Sequence, residues 1–409
     1  MNPSHPAASW PPRSSSAFAR IAQLPTYVFA QINAEKLVRI EAGADVIDLG
    51  MGNPDLPTPE HVVAELVAHA TQGQHHRYSA SRGIPALRQA IAEHYGRRYD
   101  VALDAETEAV VTIGAKEGFA HLMLAILAPG DTVLVPAPAY PIHTHGVEFA
   151  GGVVRTLPMR GDGHGRLDGD ALLAEIEAAL HASTPRPSVL VLSFPNNPTA
   201  LVADRPFFER AVELCHRERL LLVHDFAYAD SGFEEEPPSL LQIAGAREIG
   251  VEFFSMSKSY SMAGWRVGFC VGSAAMVGAL TRVKSYLDYG IFEPIQLAAA
   301  HALRSDQACV AQTRETYRRR RDALVGALHE AGWPVATPRA SMFVWAAIPE
   351  RFRPLGSVEF ARRLLHEAGV VVSPGVGFGA AGEGYVRFAL IEPEPRLSEA
   401  ARRIGEMLG

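Results

Sequence analysis

The 409-residue sequence predicts an α/β protein, a large domain on a mostly parallel central sheet with a smaller α+β domain beside it. Three observations point there. From "DVIDLGM" (45–51) onward, short runs rich in β-branched residues alternate with helical patterns, as in sheets whose crossovers are helices. These runs are near-continuously apolar, as expected of strands buried on both faces. After a long helix around 306–331 the pattern changes, and three further strands with intervening helices form a second unit.

Taken in order, "MNPSHPAASWPPRSSSAFAR" is rich in Pro and Ser and has no apolar core of a secretory signal, which predicts a flexible arm over 1–19. The segment 20–59 precedes the large sheet and is expected to pack with the C-terminal part. The large domain, 60–303, carries the strands "AVVTIGA", "DTVLVPA", "GVVRTLPM", "SVLVLSF", "LLLVHDF", "VEFFSMS" and "VGFCVG". Next comes "QTRETYRRRRDALVGALHEAG", one amphipathic helix whose arginine run reads as a solvated face. "SMFVWAAI", "GVVVSPG" and "YVRFALI" complete the small domain, which combines 20–59 with 304–409.

Composition narrows the function. With 48% hydrophobic and 20% charged residues the chain is an ordinary globular one. A net charge of −7 argues against a nucleic-acid partner, which needs a clustered basic surface. No apolar run reaches the roughly 18 residues of a membrane span, so no membrane partner is expected. Cys215, Cys270 and Cys309 are odd in number, widely spaced and without metal-ligand spacing; they suggest a reducing cytoplasm and no metal site.

Ligands of such sheets collect at the carboxyl ends of the strands. In "VTIGAKEGFAHLMLAIL" a strand, a Gly114-Ala115-Lys116 turn and a helix follow one another, so the helix-start amides can hold a phosphate, although Gly114 also reads as a plain turn glycine. "SVLVLSFPNNPTA" ends on Asn196 and Asn197 between prolines, a rigid turn that presents an amide. "LLLVHDFAYAD" ends on Asp225 and Tyr228. A carboxylate after an apolar run is expected to be buried and needs a partner, either His224 or a distant arginine.

The stretch "FFSMSKSYSMAGWRVGF" (253–269) places Lys258 after a strand, with Arg266 close behind. A solvated charge pair, an S-x-x-K hydrolase nucleophile at Ser255 and a lysine that binds a cofactor covalently are all open readings. The hydrolase motif should open a helix and be joined by Ser-Asp-Asn and Lys-Thr-Gly elements, both absent from the sequence. An aldehyde cofactor with a ring nitrogen explains more: Lys258 binds the aldehyde and Asp225 keeps the ring nitrogen protonated. Asn197 and Tyr228 then reach the ring hydroxyl, while Arg266, Ser255, Ser257 and the amides at 115 and 116 neutralise a phosphate.

Together these residues resemble the class I, fold-type I aminotransferases that depend on pyridoxal 5′-phosphate (PLP). "GNPDLPTP", "YSASRGIPALRQAI", "VTIGAKEG", "PAPAYP", "FPNNPTA", "HDFAYAD", "SMSKSYSMAGWRVGF" and "GYVRFALIE" occur in the family's order and span about 20–405. The resemblance makes Lys258 the covalent anchor and proton shuttle, Asp225 the ring-nitrogen partner, and Asn197 and Tyr228 the ring-hydroxyl contacts. It places Ala115, Lys116, Ser255, Ser257 and Arg266 in the phosphate cup and Tyr140 against the ring. Tyr78 matches a tyrosine that reaches the neighbouring subunit's phosphate, which implies a homodimer with shared sites. Arg387 matches the arginine that binds the substrate α-carboxylate, with the Gly52 backbone and Asn197 as further substrate contacts beside it. Two departures are Ala200 where much of the superfamily has glycine, and "GAK" in place of a hydroxyl-rich phosphate turn.

Within the class, "YSASRGIP", "TIGAKEGFAHLMLA", "VKSYLDYG" and "MAGWR" look most like alanine-forming glutamate–pyruvate enzymes. The expected reaction is L-alanine + 2-oxoglutarate = pyruvate + L-glutamate, by a ping-pong route. Alternatives are another donor (aspartate, methionine, an aromatic or a diaminopimelate-type acid), a PLP lyase, or a non-catalytic regulator. Tyr27, Lys284, Tyr286 and Tyr289 are candidates near the distal side chain, none of them assigned.

Overall fold

A computed structural model describes residues 28–409; the arm over 1–19 and Tyr27 lie outside the described residues. The strand β1 (Ile47–Asp48) is followed by the seven strands of the large sheet. They are β2 (Ala109–Thr112), β3 (Thr132–Ala137), β4 (Val153–Pro158), β5 (Val189–Ser193), β6 (Leu221–Asp225), β7 (Gly250–Ser255) and β8 (Gly268–Gly272). Their spatial order is β2-β8-β7-β6-β5-β3-β4. The β4–β3–β5–β6–β7 pairings are parallel, whereas β8 runs antiparallel to both β7 and β2.

The reversal of β8 has a local cause. A parallel return needs a crossover of a dozen or more residues, usually helical. Between Ser255 and Gly268 the chain forms only one helical turn, Met256–Ser259, and a 3-10 turn, Ala263–Trp265. It therefore comes back from the same edge, and Arg266, just ahead of β8, joins the carboxyl ends of β2, β3, β5, β6 and β7.

Burial on both faces holds for β2, β3, β5, β7 and β8. It does not hold for β4, the outer edge strand, most of whose side chains are exposed. The sequence hints at this: "VVRTLP" carries Arg155 and Thr156 where an inner strand would be apolar. Helices Gly169–Ala182 and Arg205–Glu218 enclose one core with Leu190, Leu192 and Phe208. Another core, centred on Phe119, Val135 and Phe253, packs under helix Ala115–Ile126.

The remaining strands are β9 (Phe343–Ala347), β10 (Val370–Val371), β11 (Ser373–Pro374) and β12 (Tyr385–Ala389). "GVVVSPG" thus divides: β10 pairs in parallel with β1, and β11 joins an antiparallel sheet ordered β11-β12-β9. Ile47 and Leu49 enter the core of Trp333, Phe360 and Phe388, and the Arg362–Glu35 ion pair (2.9 Å) ties helix Val28–Glu41 to the same unit.

The arginine run on helix Ala308–Glu330 is only half solvated. Arg318 and Arg319 are open to solvent, but Arg320 and Arg321 are buried. Arg320 makes a two-pronged bond to Asp55 (2.7 and 2.8 Å) and also donates to the Leu390 carbonyl (3.0 Å). Helical periodicity explains it, since 317, 320, 321, 324 and 328 share the inward face. Among the described residues, no helix is long and apolar enough to cross a membrane.

Candidate active site

At the shared strand edge, facing β9 and β12, lies a cavity of about 480 Å³. Twelve of the residues singled out from sequence line it: Gly52, Ala115, Lys116, Tyr140, Asn197, Asp225, Tyr228, Ser255, Ser257, Lys258, Arg266 and Arg387. Tyr78 does not. It sits on the surface, 86% exposed, with its ring centre 4.7 Å from that of Tyr289. Lys284, Tyr286 and Tyr289 are likewise not among the lining residues: Lys284 is fully buried and both tyrosines are exposed.

One end of the cavity is built for an anion. Gly114 has φ +79 and precedes helix Ala115–Ile126, whose first amides have no intrahelical acceptor. A Cβ on Gly114 would lie 2.3 Å from Nη2 of Arg266, so only glycine lets the guanidinium rest on this turn. Arg266 is itself left-handed (φ +58), and its Nη1 donates to the Ala263 carbonyl (2.9 Å). A non-glycine residue there costs about 1–2 kcal/mol, a local strain found mostly where the side chain is needed. Lys116 is the second residue of that helix, so its amide is among the free ones; its side chain is exposed, with Nζ 5.8 Å from the Tyr140 ring centre.

Asp225 ends β6, and its partner differs from the one read off the sequence. His224 faces the other side of the strand, where it meets Glu252 (Nδ1 to Oε2, 2.9 Å) and the Phe194 carbonyl (3.1 Å). Strand alternation makes this unavoidable for adjacent residues. Asp225 Oδ2 instead lies 2.8 Å from Nε2 of His143, a buried residue on helix Pro141–Phe149. Sequence reasoning missed His143, although "PAPAYPIH" places it one turn after Tyr140. Asp225 is also less buried than expected, since its side chain opens on the cavity.

Lys258 lies in the single helical turn after β7, and its Nζ donates to the Gly52 carbonyl (2.9 Å). Loss of solvent, then the charges of Arg387 and Arg266, pull its pKa down to about 7. A Cβ on Gly52 would fall 2.6 Å from Phe343, so the approach that brings this carbonyl to Lys258 requires glycine. Burial raises the Tyr228 phenol above its ordinary range, so it stays protonated.

Arg387 on β12 is buried; it donates to Asn197 Oδ1 (2.8 Å), the Gly50 carbonyl (3.0 Å) and Ser373 Oγ (3.2 Å). Its guanidinium carbon is 4.0 Å from the ring centre of Phe343 and 4.7 Å from that of Phe378. The two asparagines divide their work. Asn196 accepts from Thr199 N and Oγ1 and builds the turn, while Asn197 faces the cavity. Ala200 closes that turn at φ +59, which accounts for a glycine preference there. Also on the cavity wall, Lys36 Nζ meets Asp48 Oδ2 at 2.8 Å.

A helix-start anion cradle with an arginine, a carboxylate backed by a histidine, and an amine of lowered pKa thus open on one cavity. That donor set fits a phosphorylated pyridine aldehyde. Fold and site define a fold-type I, PLP-dependent transferase. The chain belongs to the class I and II aminotransferases, whose family model matches residues 44–404. It is 52% identical to the glutamate–pyruvate aminotransferase AlaC of Escherichia coli, covering 97% of this chain and 94% of that one. It is 42% identical to the LL-diaminopimelate aminotransferase of Desulforudis audaxviator, covering 95% and 97% respectively. A Thermus thermophilus aspartate aminotransferase structure superposes with a TM-score of 0.87 at 32% identity, covering 95% of this chain and 98% of that one. The protein is an aminotransferase acting on amino acids and 2-oxo acids, and PLP is its cofactor.

Proposed function

We propose that this aminotransferase exchanges L-alanine and 2-oxoglutarate for pyruvate and L-glutamate. The observation that carries this is the 52% identity, over nearly the whole chain, to a glutamate–pyruvate aminotransferase. When bound, PLP supplies an aldehyde that takes up amines and a protonated ring that accepts electrons.

Every other part falls to the chain's own residues. The Ala115 and Lys116 amides with Ser255, Ser257 and Arg266 hold the phosphate, and Tyr140 covers the ring. Asp225, fixed by His143, holds a proton at the ring nitrogen. Asn197 and the protonated Tyr228 phenol bond the ring oxygen. Lys258 Nζ, its pKa lowered to about 7 so that much of it is the neutral amine near neutral pH, would anchor the aldehyde and, once substrate takes its place there, would take the proton from the substrate Cα. Arg387 grips the α-carboxylate beside the Gly52 backbone, aiming the Cα–H bond.

The same reading divides the chain into a large domain over 60–303 and a small one over 20–59 with 304–409, supported by the β1–β10 pairing. It makes the protein a homodimer in which Tyr78 serves the partner's site. The exposed Tyr78, Tyr286, Leu287, Tyr289 and Phe292 support such an interface. A cytoplasmic setting is supported by three free cysteines, two of them buried.

A second reading, a diaminopimelate-type donor, is favoured by the 42%-identical relative and by Lys36 beside Asp48, a charge pair complementary to a donor with an ammonium and a carboxylate at its far end. The half-reaction decides. The PLP-loaded enzyme is mixed without acceptor with alanine, glutamate, aspartate, methionine, phenylalanine or LL-diaminopimelate, and loss of the lysine-bound cofactor's absorbance is followed. Rapid loss with alanine and glutamate alone is the expected result; preference for another donor overturns the alanine assignment.

A further inference from the structure

We propose that Lys284 is a positioning residue for cofactor phosphate binding, a built-in cation bracing the first turn of the phosphate helix against the segment that carries Tyr78. This rests on the phosphate-cup assignment made above. Lys284 lies on helix Ala274–Leu287, fully buried, in a place where an unpaired ammonium would not be tolerated. Its Nζ is 2.9 Å from Asp288 Oδ2 and 3.3 Å from Glu117 Oε1.

Glu117, His121 and Asp288 offer ligand atoms within 4.8 Å of one another, a grouping that can hold a metal ion. Here the Lys284 ammonium stands beside both carboxylates and supplies the positive charge itself. Burial pushes the Glu117 carboxyl up, but hydrogen bonding from His121 and the charge of Lys284 outweigh it and hold it below its usual range. Without the lysine, the two carboxyl groups would face each other across a short gap with no Lys284 amine between them.

Each carboxylate passes the restraint on. Glu117 Oε2 accepts from Ile113 N (2.9 Å) and so closes the Ile113–Gly114 turn on which Arg266 rests. Asp288 Oδ1 accepts from Gly290 N (2.7 Å), and the Asp288 carbonyl accepts from Ser81 Oγ (2.7 Å). Gly290, at φ +78, is pressed so close that a Cβ there would fall 2.6 Å from the Ala80 carbonyl oxygen. Tyr289 in this same turn carries the ring that meets Tyr78. One buried ammonium thus sets both the helix-start amides and the Tyr78 segment, while remaining outside the cavity.

The test compares binding of PLP and of pyridoxal, which lacks the phosphate, to the cofactor-free protein, wild type against Lys284→Met. A brace acting on the phosphate cradle weakens PLP and spares pyridoxal, so the ratio of the two dissociation constants narrows by roughly tenfold, the size of one lost charged hydrogen bond. An unchanged ratio in folded K284M, including equal weakening of both ligands, overturns the brace. Should K284M not fold by circular dichroism, Lys284→Gln carries the same comparison. A wild type that binds the two ligands equally overturns the phosphate-cup assignment instead.

Discussion

At the scale of single residues, the lowered pKa of Lys258 has a direct consequence. Attack on an aldehyde requires the neutral amine, which is scarce below a pKa of about 7 and prevails above it. Capture of PLP by the cofactor-free enzyme should speed up as pH rises through 7 and level off beyond. Stopped-flow absorbance measures this, and an inflection near the ordinary lysine value would show that Arg387, Arg266 and burial do not act on Lys258 as described. Arg387→Ala should raise KM for both the amino acid and the oxo acid by about a hundredfold, because both carry the α-carboxylate and a two-pronged charged bond is lost. Unchanged KM for both partners would assign that carboxylate to another residue. Ala200→Gly should stabilise the fold by about 0.5–1 kcal/mol, since relief of a left-handed alanine outweighs the added freedom of the unfolded chain. A lower urea midpoint would contradict it. Most individual site residues were legible in sequence because their chemistry is unusual at a strand end: a lysine, an aspartate and an asparagine where apolar runs stop. His143 was not, since histidine on a short helix has many ordinary uses and its partner is 82 residues away.

At the scale of elements, the buried half of the arginine run is the informative case. Arg320→Ala removes a two-pronged ion pair between helix Ala308–Glu330 and the segment 52–56, leaving Asp55 partly buried without its cation. A loss of about 2 kcal/mol is expected, below the value for a fully buried pair because Asp55 is about one-third exposed. Urea unfolding checks this, with Arg318→Ala as the solvent-facing comparison; equal effects would mean the inward pairing contributes nothing. The sequence pattern alone shows an amphipathic helix with four arginines in a row. Assigning two of them to its buried side requires knowing what packs there, because a long arginine can reach a carboxylate from either flank of the apolar stripe. The same limit applies to β8: its apolar run is plain in the sequence, but its direction follows from the short, irregular connection after Ser255.

At the scale of the whole molecule, the two-fold dimer proposed above predicts a sedimentation mass twice that of one chain. Tyr78→Phe should leave that mass unchanged and weaken PLP by about tenfold, since one hydrogen bond to a charged phosphate is lost. A monomer, or wild-type PLP affinity in the variant, would remove Tyr78 from the partner's site. By itself the sequence determined the alternation of strands and helices, the strand ends that bear functional groups, and the family, because these are local in the chain: periodicity, turn chemistry and motifs are written in consecutive residues. Only the tertiary structure decided the partners: His143 for Asp225, Asn197 for Arg387, Gly52 for Lys258, and the burial of Lys284. Those pairs join residues far apart along the chain, and the free energy that selects them comes from shared loss of solvent, which exists only once the elements have packed.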